Sequence, residues 1–416
     1  MNILIIGNGF DIAHELNTRY SDFLESYKSK NPIITNLWIE YFIRQQKKIA
    51  GNKWMDLENE IYNFIGSLKN KIDILKSWKN NDPSTVILCN FVTRIPEKNL
   101  KDCFKNTDML NDALKRPSNI NNPYKNNDNN NKNQLSLLDH LNFKQICKDD
   151  LPSDTVVTLE KGYVINLNQN FSYPTQCLFN DHIDFIKFLY DELRIFVYEF
   201  NKYLNNKVIV EIKKLKQHGI QKFKLGIPYD KTLKIINFNY TNTLEQLYNQ
   251  SKSPKPEYIY IHGKLQDPVR DNLYQNSNKY SDINLVLGTE SFSYKANVDR
   301  AQPIDIHFNI FQKHNQRHLY GTITAYQKLL ISLKKEMKKN DFKFHILGHS
   351  LDRSDHNILK YILLPNTDYP IIIYYHNPES HERLITNITE ILGEEEVMRR
   401  VQFIDQHDPK RGILLK

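Results

Sequence analysis

Four blocks place residues able to bind or react where apolar runs stop: Gly7-Asn8-Gly9, Asn239-Tyr240-Thr241, His262-Gly263 and Gly348-His349-Ser350. A glycine turn lets backbone amides approach an anion with no side chain between them, and a helix start behind the turn adds a favourable dipole. Phe10 and Asp11 follow the first turn. Histidine is the side chain that titrates near neutral pH. Taken singly, each block also reads as ordinary turn chemistry. His262 reads equally as a capping or core histidine, and Asn239 as a turn former leading into the next helix. Taken together, two glycine turns, an asparagine and a histidine at strand ends point to one site.

A shared site requires parallel strands, because ligands of open α/β sheets bind beyond the carboxyl ends. The run from Asn2 to Ile6 reads as a buried strand. A chain that opens in a central strand is expected to carry no signal peptide. Asp11 is placed to cap a short helix, and Ser21 a second one. Further strands are predicted over 234–239, 258–262, 283–287, 342–347, 371–376 and 401–404. Helices are expected between them, from Thr243 with Asn242 and Glu245 at capping-box spacing, over 324–338, from Ser354 and from Ser380. Short apolar strands alternating with helices predict an α/β fold with a Rossmann-like, mostly parallel sheet flanked by helices. The simplest division joins 1–28 with 229–416 in that core and makes 29–228 a large, mainly helical insertion. Within it, 117–134 is an Asn-rich tract expected to form a loop. Residues 155–166 read as a small hairpin.

Several chemistries are excluded or disfavoured. The third glycine of a dinucleotide fingerprint would fall on Ile12, and no P-loop is present. Cys89, Cys103, Cys147 and Cys177 lack metal-binding spacing and read as free thiols of a cytoplasmic protein. His314 and His318 stand four apart with no acidic partner motif, so no metal is expected. No apolar run is long enough to span a bilayer. The net charge of +8 permits an anionic ligand, nucleotide or nucleic acid, without choosing among them. Lysine pairs at 213–214, 334–335 and 338–339 read as solvated helix faces that nucleic acid could also use.

The block Gly7-Asn8-Gly9-Phe10-Asp11-Ile12-Ala13-His14, followed by Thr18-Arg19-Tyr20-Ser21-Asp22-Phe23, resembles the opening of the AbiH family of phage abortive-infection proteins. Residues 54–58, 237–243, 262–265 and Gly348-His349-Ser350-Leu351 with Asp355 fit the same family. The chain departs from it at Glu15 and Asn17, where the family often carries glycine and proline. More distantly, the four blocks resemble sirtuin-like NAD-binding proteins, whose defence relatives hydrolyse NAD. Thr241 stands where that pattern has an aspartate, so no role is carried over for it.

These resemblances imply an antiphage protein that takes NAD or a related nucleotide as substrate and breaks the nicotinamide–ribose bond. Asn239 and His262 are then the catalytic candidates: the amide positions a water or the carboxamide, and the imidazole takes a proton. Gly7, Asn8, Gly9, Phe10, Asp11, Tyr240, Gly348, His349 and Ser350 form the implied nucleotide-binding set, with the amides of Gly9 and Phe10 on the pyrophosphate and Ser350 on a ribose. A phage protein as trigger and a homo-oligomer are implied partners. The rival readings are a nucleic-acid-directed effector and a sensor without chemistry.

Overall fold

The structure is a computed structural model that describes residues 2–31, 36–48, 56–66, 85–90, 142–147, 163–166, 178–179, 182–225, 232–248, 256–266, 283–289, 306–337, 342–364, 369–408, 410–411 and 413. The Asn-rich tract at 117–134, most of the hairpin expected at 155–166, Cys103, Cys177 and the lysines at 338–339 lie outside these residues. The chain divides into two compact units. One comprises Met1–Phe23, Val197–Ser293 and Ile310–Lys416; the other comprises Leu24–Phe196 and Tyr294–Asn309.

The first unit holds β1 (Asn2–Ile6), β2 (Thr232–Asn237), β3 (Glu257–Tyr260), β4 (Lys343–Leu347), β5 (Ile371–Tyr375) and β6 (Val401–Asp405). Its helices include α1 (Asn8–Ala13), α2 (Thr243–Tyr248), α3 (Lys313–Leu319), α4 (Thr322–Met337), α5 (His356–Leu363), α6 (Pro378–Leu392) and α7 (Glu394–Arg400). The strands form one sheet in the order β6-β5-β4-β1-β2-β3, and every pair is parallel. This is the 3-2-1-4-5-6 order of a doubly wound sheet, whose order reverses between β1 and β4. The α/β expectation holds.

Parallel sheets survive only with both faces covered, which is why β1 is apolar without alternation from Ile3 to Ile6 and buried at all five positions. Ile3, Ile5, Ile236, Phe344, Ile346, Ile371 and Ile373 share one core with Leu329 and Leu333 of α4, Ile358, Leu359 and Ile362 of α5, and Leu384 and Ile388 of α6. At about 1.5–3 kcal/mol for each large apolar side chain buried, this cluster is the main adhesive of the unit.

Four local expectations need correction. Ser21 lies inside the helix Tyr20–Lys30 and does not cap it. Residues 283–287 do not form a strand of the sheet, although Ile283, Leu285, Val286 and Leu287 are buried as a strand would be. The Asn284 amide goes to the Gln266 side chain, and the Leu287 backbone to Gln316 of α3. Gln316 Oε1 accepts from the Leu287 amide at 3.0 Å, and its Nε2 donates to the Leu287 carbonyl at 2.8 Å. A side chain thus satisfies the backbone where a ladder would have done so. The first helix begins at Asn8, with Gly7 as its cap residue, so Asp11 lies inside it and faces inward. The capping box at Asn242 and Glu245 does not form either. Glu245 accepts instead from the Tyr260 hydroxyl at 3.0 Å and the Lys264 ammonium at 2.8 Å. The box forms at α6, between Asn377 and Ser380.

In the second unit, Leu37–Lys48, a helical stretch at 57–66 and much of His182–Tyr203 enclose an aromatic core of Trp38, Tyr41, Phe42, Phe64 and Phe196. The buried Glu192 carboxylate accepts from the Leu37 amide at 2.8 Å and from Asn36 Nδ2 at 3.0 Å, which satisfies a helix start that burial would otherwise leave bare. A four-stranded sheet runs in the order Asn142–Cys147, Thr85–Asn90, Tyr163–Asn166, Leu178–Phe179.

Candidate functional site

The parallel register fixes what comes together at the carboxyl edge of the main sheet. Leu347, Ile6, Asn237 and Tyr260 are successive neighbours across β4, β1, β2 and β3. Two residues further along each chain stand His349, Asn8, Asn239 and His262. Four of the residues singled out in the sequence therefore occupy equivalent positions on one edge, around the point where strand order reverses.

At that point the two glycine turns cross backbone to backbone. The Gly9 amide donates to the Gly348 carbonyl at 2.7 Å, and the Gly7 amide to the Leu347 carbonyl at 3.2 Å. The Phe10 amide donates back to the Gly7 carbonyl at 3.0 Å. The amides of Gly9 and Phe10, expected to face a phosphate, thus serve the fold. Asn239 Nδ2 donates to the Gly7 carbonyl at 3.1 Å, and the Asn239 amide to Asn237 Oδ1 at 2.8 Å. Asn8 Oδ1 accepts from the Thr18 hydroxyl at 2.6 Å.

Asp11 is fully buried, and its Oδ2 accepts a hydrogen bond from the Thr241 hydroxyl. Its Oδ1 has no partner among the described residues. Burial pushes this carboxyl up to about 6, against smaller lowering contributions from Thr241, Thr243 and Asn239. Phe10 is wholly buried, stacked on Phe223 at 5.3 Å and tilted against His14 and Tyr248, so its ring belongs to the core. The Tyr240 hydroxyl donates to the Val286 carbonyl at 2.8 Å. Ser350 is half-buried, and its carbonyl accepts from Asn387.

The densest chemistry surrounds His262. Its Nε2 lies 3.0 Å from Asp355 Oδ1, while Nδ1 is buried with no partner among the described residues. Lys313 Nζ reaches the same Asp355 oxygen at 3.1 Å, and His349 Nε2 lies 3.6 Å from the other oxygen. His349 Nδ1 accepts from the Leu351 amide at 2.9 Å, which fixes its proton on Nε2. The Phe238 ring packs edge-on against both imidazoles, at 5.5 Å from His262 and 4.3 Å from His349.

Burial pushes His262 down to about 4; Asp355 opposes that shift, while Lys313 and Arg317 add to it. Burial likewise lowers His349. Burial alone would raise the Asp355 carboxyl, but the Lys313 ammonium and the two imidazoles hold it well below the usual carboxylate range. The outcome is an ionised Asp355, a neutral His262 with its proton on Nε2, and a basic lone pair on Nδ1. Leu351, in the turn that carries His349 to Asp355, has a φ of 57°. A branched residue held there stores strain of about 1–3 kcal/mol, a cost that clusters at functional sites.

Sequence reasoning placed Asp355 only as part of a motif and passed over Lys313. The signals available were an acidic residue seven positions beyond a glycine strand end, and a lysine opening a helix. Among the described residues, no group of three or more His, Cys, Asp or Glu could hold a metal ion.

The model of the bacteriophage abortive infection AbiH family matches residues 3–190 and 165–375. The chain belongs to that family. Its role is therefore in abortive infection, a defence against bacteriophage. The AbiH match takes in both glycine turns, Asn239, His262, Lys313 and Asp355. No curated protein and no solved structure matches this AbiH-family chain. Among its described residues, no helix is long and apolar enough to cross a membrane.

Proposed function

We propose that this AbiH-family protein binds NAD, or a nucleotide of the same build, at the switch-point edge and hydrolyses the nicotinamide–ribose bond. The observation that carries the reading is the state of His262: held through Nε2 by an ionised Asp355, with a buried and unpartnered Nδ1 among the described residues. A neutral imidazole oriented by a carboxylate is the arrangement of a general base.

In this reading a water attacks the anomeric carbon of the ribose. The carbon–nitrogen bond breaks with its electron pair passing to the nicotinamide ring, which leaves neutral and needs no acid. The proton of the water passes to His262 Nδ1 and then to solvent. The products are nicotinamide, ADP-ribose and a proton. A neutral base suits a substrate whose ring is already cationic. Asn239 uses Nδ2 on Gly7, which makes its Oδ1 the acceptor that orients the water. With the amides of Gly9 and Phe10 committed inside the fold, the Asn8 side chain is left to face the phosphates, and Ser350 a ribose. His262 and Asp355 are 5% and 9% exposed, so substrate reaches them only after their cover opens. That fits an effector kept silent until infection.

The test supplies the trigger with the infection. Wild type, Asn239→Ala and His262→Ala are purified, mixed with extract of phage-infected cells, and given NAD and labelled nucleic acid in parallel. Nicotinamide release by wild type, lost in both variants, supports the reading. Strand loss without nicotinamide, or equal nicotinamide release from all three proteins, overturns it.

A further inference from the structure

We infer that Lys313 is a positioning residue of the His262–Asp355 pair: its ammonium keeps the shared carboxylate ionised, so that His262 holds its proton on Nε2 and presents Nδ1 as the base. This inference rests on the reading of His262 given above.

The placement of Lys313 makes little sense as packing. Its side chain is 1% exposed, and lysines are almost never fully buried unless paired. It stands at the first residue of α3, where the helix dipole disfavours a cation. Buried ion pairs can often be replaced by apolar residues without loss of stability, so stability alone does not explain this one. What the position does provide is geometry. Lys313 Nζ lies 3.1 Å from Asp355 Oδ1 and 3.4 Å from the Ser354 carbonyl, and His262 Nε2 lies 3.0 Å from that same Oδ1.

The chemical consequence concerns one proton. A buried carboxylate and imidazole without a neighbouring cation would take up a proton between them. If it resided on Asp355, the carboxyl would donate to Nε2, and the imidazole proton would sit on Nδ1, where the base must be. Lys313 disfavours that state by stabilising the carboxylate. It also opposes a cationic His262, as does Arg317 from the next turn of α3. His349 faces Asp355 from the other side, and Asp352 and His356 act on His349 in turn.

The test reads protons on the full chain with no nucleotide present, so its result is independent of whether nicotinamide is released. Histidine-selective ¹⁵N labelling gives the tautomer and titration of each imidazole, with His262 assigned by its loss in His262→Gln. Wild type is expected to show the neutral Nε2–H form of His262 from about pH 5.5 to 8. In Lys313→Met, proton uptake by the pair is expected to move upward by about one pH unit or more. Lys313→Arg, which keeps the charge, should retain the wild-type pattern. An Nδ1–H or cationic His262 in wild type at pH 7 overturns the inference. So does a folded Lys313→Met whose His262 titrates as in wild type. Lys313→Gln removes the same charge and gives the same reading should the methionine variant not fold.

Discussion

The Gly9 amide meets the Gly348 carbonyl at 2.7 Å, with no side chain between the two turns. A Cβ on Gly348 would lie 2.2 Å from the Phe10 nitrogen, and the φ of 66° disfavours any L side chain there. Gly348→Ala is expected to lose about 2–4 kcal/mol, from backbone strain and overpacking together. Gly66→Ala is the control: nothing lies within 4 Å of its added Cβ, and no loss is expected. Urea midpoints of the two variants decide this.

Asp11 should make stability fall as pH rises. Its folded carboxyl titrates near 6, against 3.8 for the ordinary group, so between those values the folded state holds a proton that the unfolded state has lost. The penalty builds across that window and is complete above it. Asp11→Asn, which keeps an acceptor for Thr241, should match wild type near the lower end and exceed it by about 1–3 kcal/mol above about pH 7. His262 has the opposite sign. Its folded value of about 4 lies below the ordinary 6.5, so its contribution is complete above 6.5 and lost as pH falls through 4. Denaturation series in buffers from pH 4 to 8 separate the two, because only the first effect disappears in Asp11→Asn.

Loss of either partner of the dyad should depress nicotinamide release from triggered protein. His262→Ala and Asp355→Asn are each expected to lower the rate by about 10²–10⁴-fold, the usual scale for a positioned base and its orienting group. The rate of wild type should be level through about pH 6–8, where His262 is neutral, and should drop only as the pH approaches about 4. A rate that falls with a midpoint near 6.5 would exclude His262 as the base.

Gln316→Leu is expected to destabilise by about 2–4 kcal/mol, because it strips the Leu287 amide and carbonyl of their partners in a buried place. Hydrogen exchange at the Leu287 amide should speed up more than at Ile5 in the sheet.

What the sequence disclosed and what it withheld follow one division. Runs such as 3–6 and 371–373 are apolar because both faces of a parallel strand are covered, so strand positions and the α/β class were legible. The edge row was legible for the same reason: His262 and Asn239 end such runs. Residues 283–287 carry a similar apolar pattern, yet a glutamine some thirty positions later takes the backbone bonds of Leu287; periodicity reports burial and not the bonding partner. Asp11 looked like a cap because its type suits one, whereas the helix starts three residues earlier at Asn8. Lys313 and Asp355 matter through a shared carboxylate oxygen, and a charge pair across 42 positions leaves no local mark. Phe10 sits beside the glycine turn in sequence, but its ring points into the aromatic core.

The place of β1 has a consequence in time. Its neighbours are β2 and β4, so Ile6 acquires its lateral partners only when Asn237 and Leu347 exist. Synthesis at about 5–20 residues per second leaves this apolar segment without its sheet neighbours for tens of seconds after it is made. Closing loops of such length is slow, and an apolar strand waiting for partners is open to wrong ones. The first segment of the sheet to be synthesised therefore waits longest for its partners, and a nascent chain has most need of a chaperone there.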